Sequence, residues 1–211
     1  MEWIQDILQQ ISAENLVRAG YAIMALVVFA ETGLLAGFFL PGDSLLVTAG
    51  VFAARGDFDI VFLNVLLSSS AIVGDAVGFQ IGKRAGKALF DKPDSRFFKQ
   101  QYLVKTQGFY DKHGGKTIVL ARFIPIIRTF APTIAGIAGM GYVKFASFNV
   151  FGGILWVLSM TMLGYLLGNA IPNIDKNIDK VIILVVFISI TPILWHVVKP
   201  RLFPAKSAPI D

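Results

Sequence analysis

The sequence predicts an all-α integral membrane protein: an inverted repeat of two opposed re-entrant helical hairpins, each followed by a transmembrane helix. Three observations carry that prediction. First, 55% of the 211 residues are apolar, only 16% are charged and the mean hydropathy is +0.66, a balance found in polytopic membrane proteins and not in soluble domains. Second, the apolar stretches come in two kinds, some long enough to cross a bilayer once and two too short to cross it twice. Third, Phe39-Leu40-Pro41 and Phe123-Ile124-Pro125 match locally, each in a broken apolar stretch ahead of one long segment. An odd number of crossings between the two would invert the second against the first, and broken helices meeting near the midplane are a layout of many secondary transporters. A C-terminal transmembrane helix and peripheral amphipathic helices complete the expected fold, with residues 1–211 forming a single membrane domain.

Taken in order, residues 1–18 place Trp3, Ile4, Ile7, Leu8 and Ile11 at helical spacing, the pattern of an amphipathic helix lying at the interface. The first residues lack the basic region and small-residue cleavage site of a signal peptide, so the first membrane segments are expected to stay as insertion signals. Residues 19–54 are apolar apart from Glu31 and Asp43, with Gly33, Gly37, Pro41 and Gly42 interrupting them near the middle. One crossing needs about 20 residues, so a re-entrant hairpin of two half-helices fits this stretch, its irregular tip at Pro41 and Gly42 buried in protein. Residues 60–82 can cross once and contain Asp75 between Gly74 and Gly78.

Residues 83–116 form the polar connector, with Lys83, Arg84, Lys87, Lys92, Arg96, Lys99, Lys105, Lys112 and Lys116 against Asp91, Asp94 and Asp111. By the positive-inside rule this connector is cytoplasmic. Pro93-Asp94-Ser95 reads as the start of a surface helix and Gly114-Gly115 as its stop, with Phe98, Tyr102, Phe109 and Tyr110 between them as anchors. The Gly82–Gly86 spacing reads as a helix contact or a helix end. Residues 117–142 repeat the awkward length of the first hairpin and carry Arg122, Arg128, Pro125 and Pro132, so a second re-entrant hairpin is expected, with both prolines at its tip. Residues 145–168 are the cleanest transmembrane segment, with Gly164 and Gly168 available for close packing. Residues 181–198 cross back, and Lys199, Arg201 and Lys206 mark a cytoplasmic tail over 199–211. Counting back from the connector puts the first hairpin on the external side and the second on the cytoplasmic side, and the poorly basic N-terminal segment agrees with an external N-terminus.

Function is to be sought at the charges inside these apolar stretches. A charge at mid-bilayer costs roughly 2.5–3.5 kcal/mol on insertion scales, so Glu31, Asp43, Arg122 and Arg128 would together cost on the order of 10 kcal/mol before pairing. Arginine keeps its charge and offers a planar fork of donors that matches phosphate oxygens. Arg122 and Arg128 lie six residues apart with Pro125 between them, so two guanidinium groups could converge on one anionic head group, aided by half-helix N-termini. Carboxyl groups in a low-dielectric site can bind and release protons near neutral pH, which makes Glu31 and Asp43 candidates for proton coupling or for gating the arginines as counter-ions. The bland readings are that Arg122 snorkels to the interface and that Asp43 caps a half-helix. Asp75 divides evenly between packing and an accessory role. His113 reads as an interfacial turn residue, with pH sensing as the alternative.

Several classes are excluded or disfavoured. The chain has no cysteine, which removes disulfides and thiolate metal sites, and His113 and His196 are too few and too far apart in sequence to suggest a metal centre. No cofactor is implied. The net charge of +5 is explained by the cytoplasmic connector without nucleic acid. There is no Gly-x-Ser-x-Gly, no His-Glu-x-x-His and no phosphate loop, so the chain is not expected to be an enzyme.

The assembled motifs resemble those of the DedA family of the VTT superfamily, also called SNARE-associated membrane proteins. They are residues 39–46 (Phe39-Leu40-Pro41-Gly42-Asp43-Ser44-Leu45-Leu46), Gly74-Asp75-Ala76-Val77-Gly78, Lys112-His113-Gly114-Gly115-Lys116 and residues 122–136 from Arg122 to Gly136, with Glu31-Thr32-Gly33 before them and residues 149–156, from Asn149 to Trp156, after. The resemblance covers roughly residues 20–170. It implies opposed re-entrant hairpins, a bacterial inner-membrane location and transport of lipid between leaflets, in particular recycling of undecaprenyl phosphate with dependence on the proton-motive force. It also implies that Glu31 and Asp43 are the essential acidic residues and Arg122 and Arg128 the essential arginines. The expected function is therefore a transporter of a polyprenyl-phosphate lipid, with the lipid bilayer and the anionic lipid as its partners; the sequence is compatible with a homo-oligomer. The alternatives are an uncoupled phospholipid scramblase, a small-ion or proton antiporter, and a scaffold without transport.

Overall fold

The computed structural model describes residues 17, 19–34, 37, 40–90, 108 and 115–171. The expected interfacial helix over 1–18 (Val17 apart), nearly all of the connector beyond residue 90, His113, the segment 181–198 and the tail 199–211 lie outside the described residues.

Six helices make up what is described: α1 (Tyr21–Gly33), α2 (Gly42–Ala54), α3 (Ile60–Phe90), α4 (Lys116–Ala121), α5 (Pro125–Ile137) and α6 (Tyr142–Ala170). Both stretches that looked too short for two crossings are broken helix pairs, α1 with α2 and α4 with α5. At 1.5 Å per residue, the 13-residue helices α1, α2 and α5 span about 20 Å each, well short of the roughly 30 Å hydrocarbon core. Proline sets both breaks, though from different positions. Pro41 is the N-cap of α2, and Pro125 is the first residue of α5, where its missing N–H is one the helix would leave unpaired anyway.

Two expectations are corrected. Pro132 is not at a hairpin tip but inside α5; it withholds the N–H that would bond the carbonyl of Arg128, yet the helix runs on to Ile137. The connector does not begin at residue 83, because α3 continues unbroken to Phe90. Gly82 and Gly86 are the reason for part of this extension: side chains there would collide with the backbone of Thr133 and Ile137. The pair is thus a helix contact against α5.

α3 and α6 are long and apolar enough to cross a membrane, over Ile60–Gly86 and Tyr142–Ala170. They run antiparallel, since Asn149 Nδ2 donates to the Ile72 carbonyl at 3.0 Å and Thr161 Oγ1 to Asn64 Oδ1 at 2.6 Å. Their outer faces expose Val61, Phe62, Val65 and Val73 on α3, and Val143, Phe151 and Leu166 on α6. A contiguous apolar exterior of this kind requires a nonpolar surrounding. The second helix of each pair packs chiefly against the long helix that follows the other pair, α2 on α6 and α5 on α3, while the first packs against the long helix that follows its own, α1 on α3 and α4 on α6. At the α2–α6 seam a side chain at Gly50 would enter the Thr161 carbonyl, and one at Gly164 the Val47 carbonyl, so small residues allow the backbones to touch.

Two apolar clusters result. One gathers Met24, Val28, Leu45, Leu46, Leu67 and Trp156; the other gathers Phe79, Ile118, Ala135 and Phe145, with Phe79 and Phe145 stacked at 4.3 Å. Along α3, Asp75 falls between Ala71 of the first cluster and Phe79 of the second. The charged residues therefore lie between two oily halves.

Candidate functional site

The polar centre is assembled from the broken pairs and the two long helices. Arg128 is on α5 one turn past its N-cap, with its N–H bonding the Ile124 carbonyl at 3.0 Å. Its two terminal nitrogens donate to different carboxylates, one to Glu31 at the end of α1 and the other to Asp43 in the first turn of α2. The guanidinium carbon lies 4.7 Å from the ring centroid of Trp156, a cation–π position. The indole Nε1 of Trp156 donates to Asp43 Oδ1 at 2.9 Å. One arginine thus ties α1, α2, α5 and α6 together.

Arg122, at the break between α4 and α5, forms a second group. Its Nη2 donates to Asp75 on α3 and to the side-chain oxygen of Asn149 on α6, with a longer contact of 3.3 Å to the Asn149 carbonyl. Space for it comes from α6, where a side chain on Gly152 would lie 3.1 Å from Arg122 Cδ and 3.2 Å from its Nε. Asn149 and Trp156 are seven residues apart on α6, about two turns, so the two groups are stacked about 10 Å apart along that helix.

Burial differs among the acids in a way that bears on access. The Glu31 and Asp75 side chains retain 2% and 4% of their surface, while Asp43 keeps 13%. Asp43 is thus the carboxylate nearest to an exit. Among the described residues Glu31 Oε2, Arg122 Nε and Arg128 Nε are buried without a hydrogen-bond partner, so the ion-paired groups keep unspent donors and an acceptor. The first turn of α2 presses on Glu31, since a side chain at Gly42 would collide with Oε2. Asp43 on that turn touches Arg128 on α5, so two helix N-termini, each worth about half a positive charge, approach the carboxylates.

The sequence-predicted residues are mostly brought together, but not as expected. Glu31, Asp43 and Arg128 share one network, whereas Arg122 and Arg128 do not converge on a single point; each is engaged by acids of its own. Asp75, an accessory candidate, is the buried counter-ion of Arg122. Asn149 and Trp156 were not singled out as site residues. A polar Asn in an apolar helix, with an indole two turns further along the same face, was the available signal. No group of acids and histidines among the described residues could hold a metal ion.

Buried ion pairs inside a bundle with an apolar exterior define a membrane protein whose charges serve something other than solubility. A profile of the VTT domain matches residues 40–166. The chain is similar to Protein DedA of Escherichia coli K12, 46% identical over 190 residues, which is 89% of this chain and 86% of that protein. It is 45% identical over 184 residues to an uncharacterized membrane protein of Mycobacterium leprae, covering 86% of this chain and 82% of that one. Inner membrane protein YqjA of E. coli K12 is 35% identical over 167 residues, covering 79% and 76%. No solved structure matches. The chain belongs to the DedA family of VTT-domain membrane proteins.

Proposed function

We propose that this protein carries a lipid phosphate between bilayer leaflets, with undecaprenyl phosphate as substrate and protons as the coupling ion. The observation that carries the reading is the pairing of two buried arginines with three buried or nearly buried acids at the meeting point of two broken helix pairs. A guanidinium already held by carboxylates offers a phosphate a competing partner of the same geometry. A phosphate that takes Arg128 or Arg122 frees Glu31, Asp43 or Asp75 to take up protons. No step of bond making is proposed, and the chain acts as a transporter and not as an enzyme.

Alternating access through an inverted repeat is part of the proposal. It is supported by the antiparallel run of α3 and α6 and by the exchanged packing of α2 on α6 and α5 on α3. The two broken pairs then act as opposed re-entrant hairpins, with the Lys83, Arg84 and Lys87 end of α3 at the cytoplasmic face of the inner membrane by the positive-inside rule.

The test is reconstitution in liposomes holding a polyprenyl phosphate, following leaflet exchange with and without an imposed pH gradient, with Arg122→Ala as control. Gradient-dependent exchange lost in that variant is expected. Exchange indifferent to the gradient would favour an uncoupled scramblase, and proton flux without any lipid phosphate would favour an ion antiporter.

A further inference from the structure

Away from the charges, the two long helices leave a groove of about 430 Å³ between them, lined by Ile60, Ser68 and Ile72 of α3 and by Ile154, Leu158 and Met162 of α6. Two of its polar members spend their hydrogen bonds within the protein. Ser69 Oγ donates to the Val65 carbonyl at 2.7 Å. The Asn64 amide donates to the Ile60 carbonyl at 2.8 Å and accepts from Thr161. What the groove offers outward is hydrocarbon, from Val61, Val65, Ile154 and Leu158, all exposed.

The inner end of the groove abuts the charged centre. Asn149, which holds Arg122 through its side-chain oxygen, donates to the carbonyl of Ile72. A side chain on Gly153 would meet Ile72 Cγ1 at 2.9 Å and Arg122 Nη2 at 3.4 Å, so one position touches both the groove wall and the guanidinium. From Ile72 back to Ile60 the groove runs about 18 Å along α3, a little more than the roughly 15 Å depth of one leaflet's hydrocarbon.

We infer that the α3–α6 groove is a seat for the hydrocarbon chain of the same lipid whose phosphate reaches Arg122. This rests on the lipid-phosphate reading above and deepens it: the protein selects its substrate by holding a phosphate and a long chain at once. The chain lies along one half of the bilayer while its head group sits at the level of Asp75, near the middle of α3. A zwitterionic lipid, whose phosphodiester is masked by its own cation, can wet the groove, but only a lipid ending in a phosphate monoester is anchored there by the arginine.

The absence of cysteine from the chain permits a single probe. Ser69→Cys on the exposed rim, carrying a bimane fluorophore, is reconstituted in phosphatidylcholine and titrated with two lipids bearing identical dibrominated chains, a phosphatidic acid and a phosphatidylcholine. The phosphatidic acid is expected to quench at a mole fraction at least tenfold lower, and Arg122→Ala to erase that preference. Unlabelled polyprenyl phosphate is expected to reverse the quenching. Equal quenching by the two brominated lipids, in a protein that still exchanges lipid phosphate between leaflets, overturns the seat while leaving the transport reading intact. Loss of phosphate-dependent exchange altogether overturns both. A disulfide from Ser69→Cys to a second copy, or to a cysteine placed in 181–198, shows that protein covers the groove and also overturns the seat.

Discussion

At the scale of single residues, the division of labour between the two arginines is the main consequence of the geometry. Arg128 donates through both terminal nitrogens to two acids from two helices, and its flat face lies on Trp156. A lysine would keep the charge but could not span both carboxylates and the indole in the same way. Arg128→Lys should lower lipid-phosphate exchange at least tenfold in liposomes; full exchange would show that charge alone suffices. Arg122 poses the opposite question, because its partner Asp75 is fully enclosed. Removing one member of a buried pair typically costs about 3–5 kcal/mol, while replacing both with apolar residues of similar size is often neutral or stabilising. Asp75→Leu alone should therefore lower the thermal unfolding temperature in detergent, and Asp75→Leu with Arg122→Met should recover most of it while exchange stays abolished. If the double variant regains exchange as well as stability, the pair is a structural clasp and nothing more.

At the scale of elements, close backbone contact decides more than side-chain packing does. A side chain at Gly50 enters the Thr161 carbonyl, whereas Gly56, at φ +86°, has open space around it. Gly56→Ala should cost only the strain of a left-handed residue, about 1–2 kcal/mol. Gly50→Ala should cost more, because α2 must move off α6 and carry Asp43 away from Trp156, and that variant should also lose exchange. Equal unfolding temperatures for the two would contradict the seam described here. Much of this element-level organisation was legible in the chain. Apolar stretches of inconvenient length, together with Pro41 and Pro125, point to broken helix pairs, and acids and arginines in apolar surroundings point to a site. The extension of α3 past residue 82 was hidden because Lys83, Arg84 and Lys87 read as connector although they are good helix formers. Pro132 was misplaced because proline marks a helix end only when nothing else holds the helix, and α5 packs along α3. The pairing of Arg122 with Asp75 depends on which helix faces which, and that is set by tertiary contacts between residues 47 positions apart.

At the scale of the whole molecule, charge balance is what would link the proposed carrier to a proton gradient. Glu31, Asp43 and Asp75 bring three negative charges when ionised, Arg122 and Arg128 bring two positive, and the N-termini of α2 and α5 add roughly half a positive charge each. The centre's own charges are close to balanced on that count. A phosphate monoester adds roughly −1.5 to −2 near neutral pH, an excess that a low-dielectric interior does not tolerate. The excess would be removed if one or two carboxyl groups took up protons as the lipid entered, and Asp43 is the most exposed of the three. On the proposed reading the sign follows: if lipid binding takes up protons, an acidic exterior would load the carrier on that side and a less acidic interior would empty it. Titrating the detergent-solubilised protein with polyprenyl phosphate in weak buffer, with a pH indicator present, should raise the pH by an amount equal to about one proton per lipid bound. Asp43→Asn should reduce that uptake and make leaflet exchange insensitive to the imposed gradient. Binding with no proton uptake would mean that the lipid leaves the ion pairs as they are, and the protein would then be a passive scramblase with the same arginines.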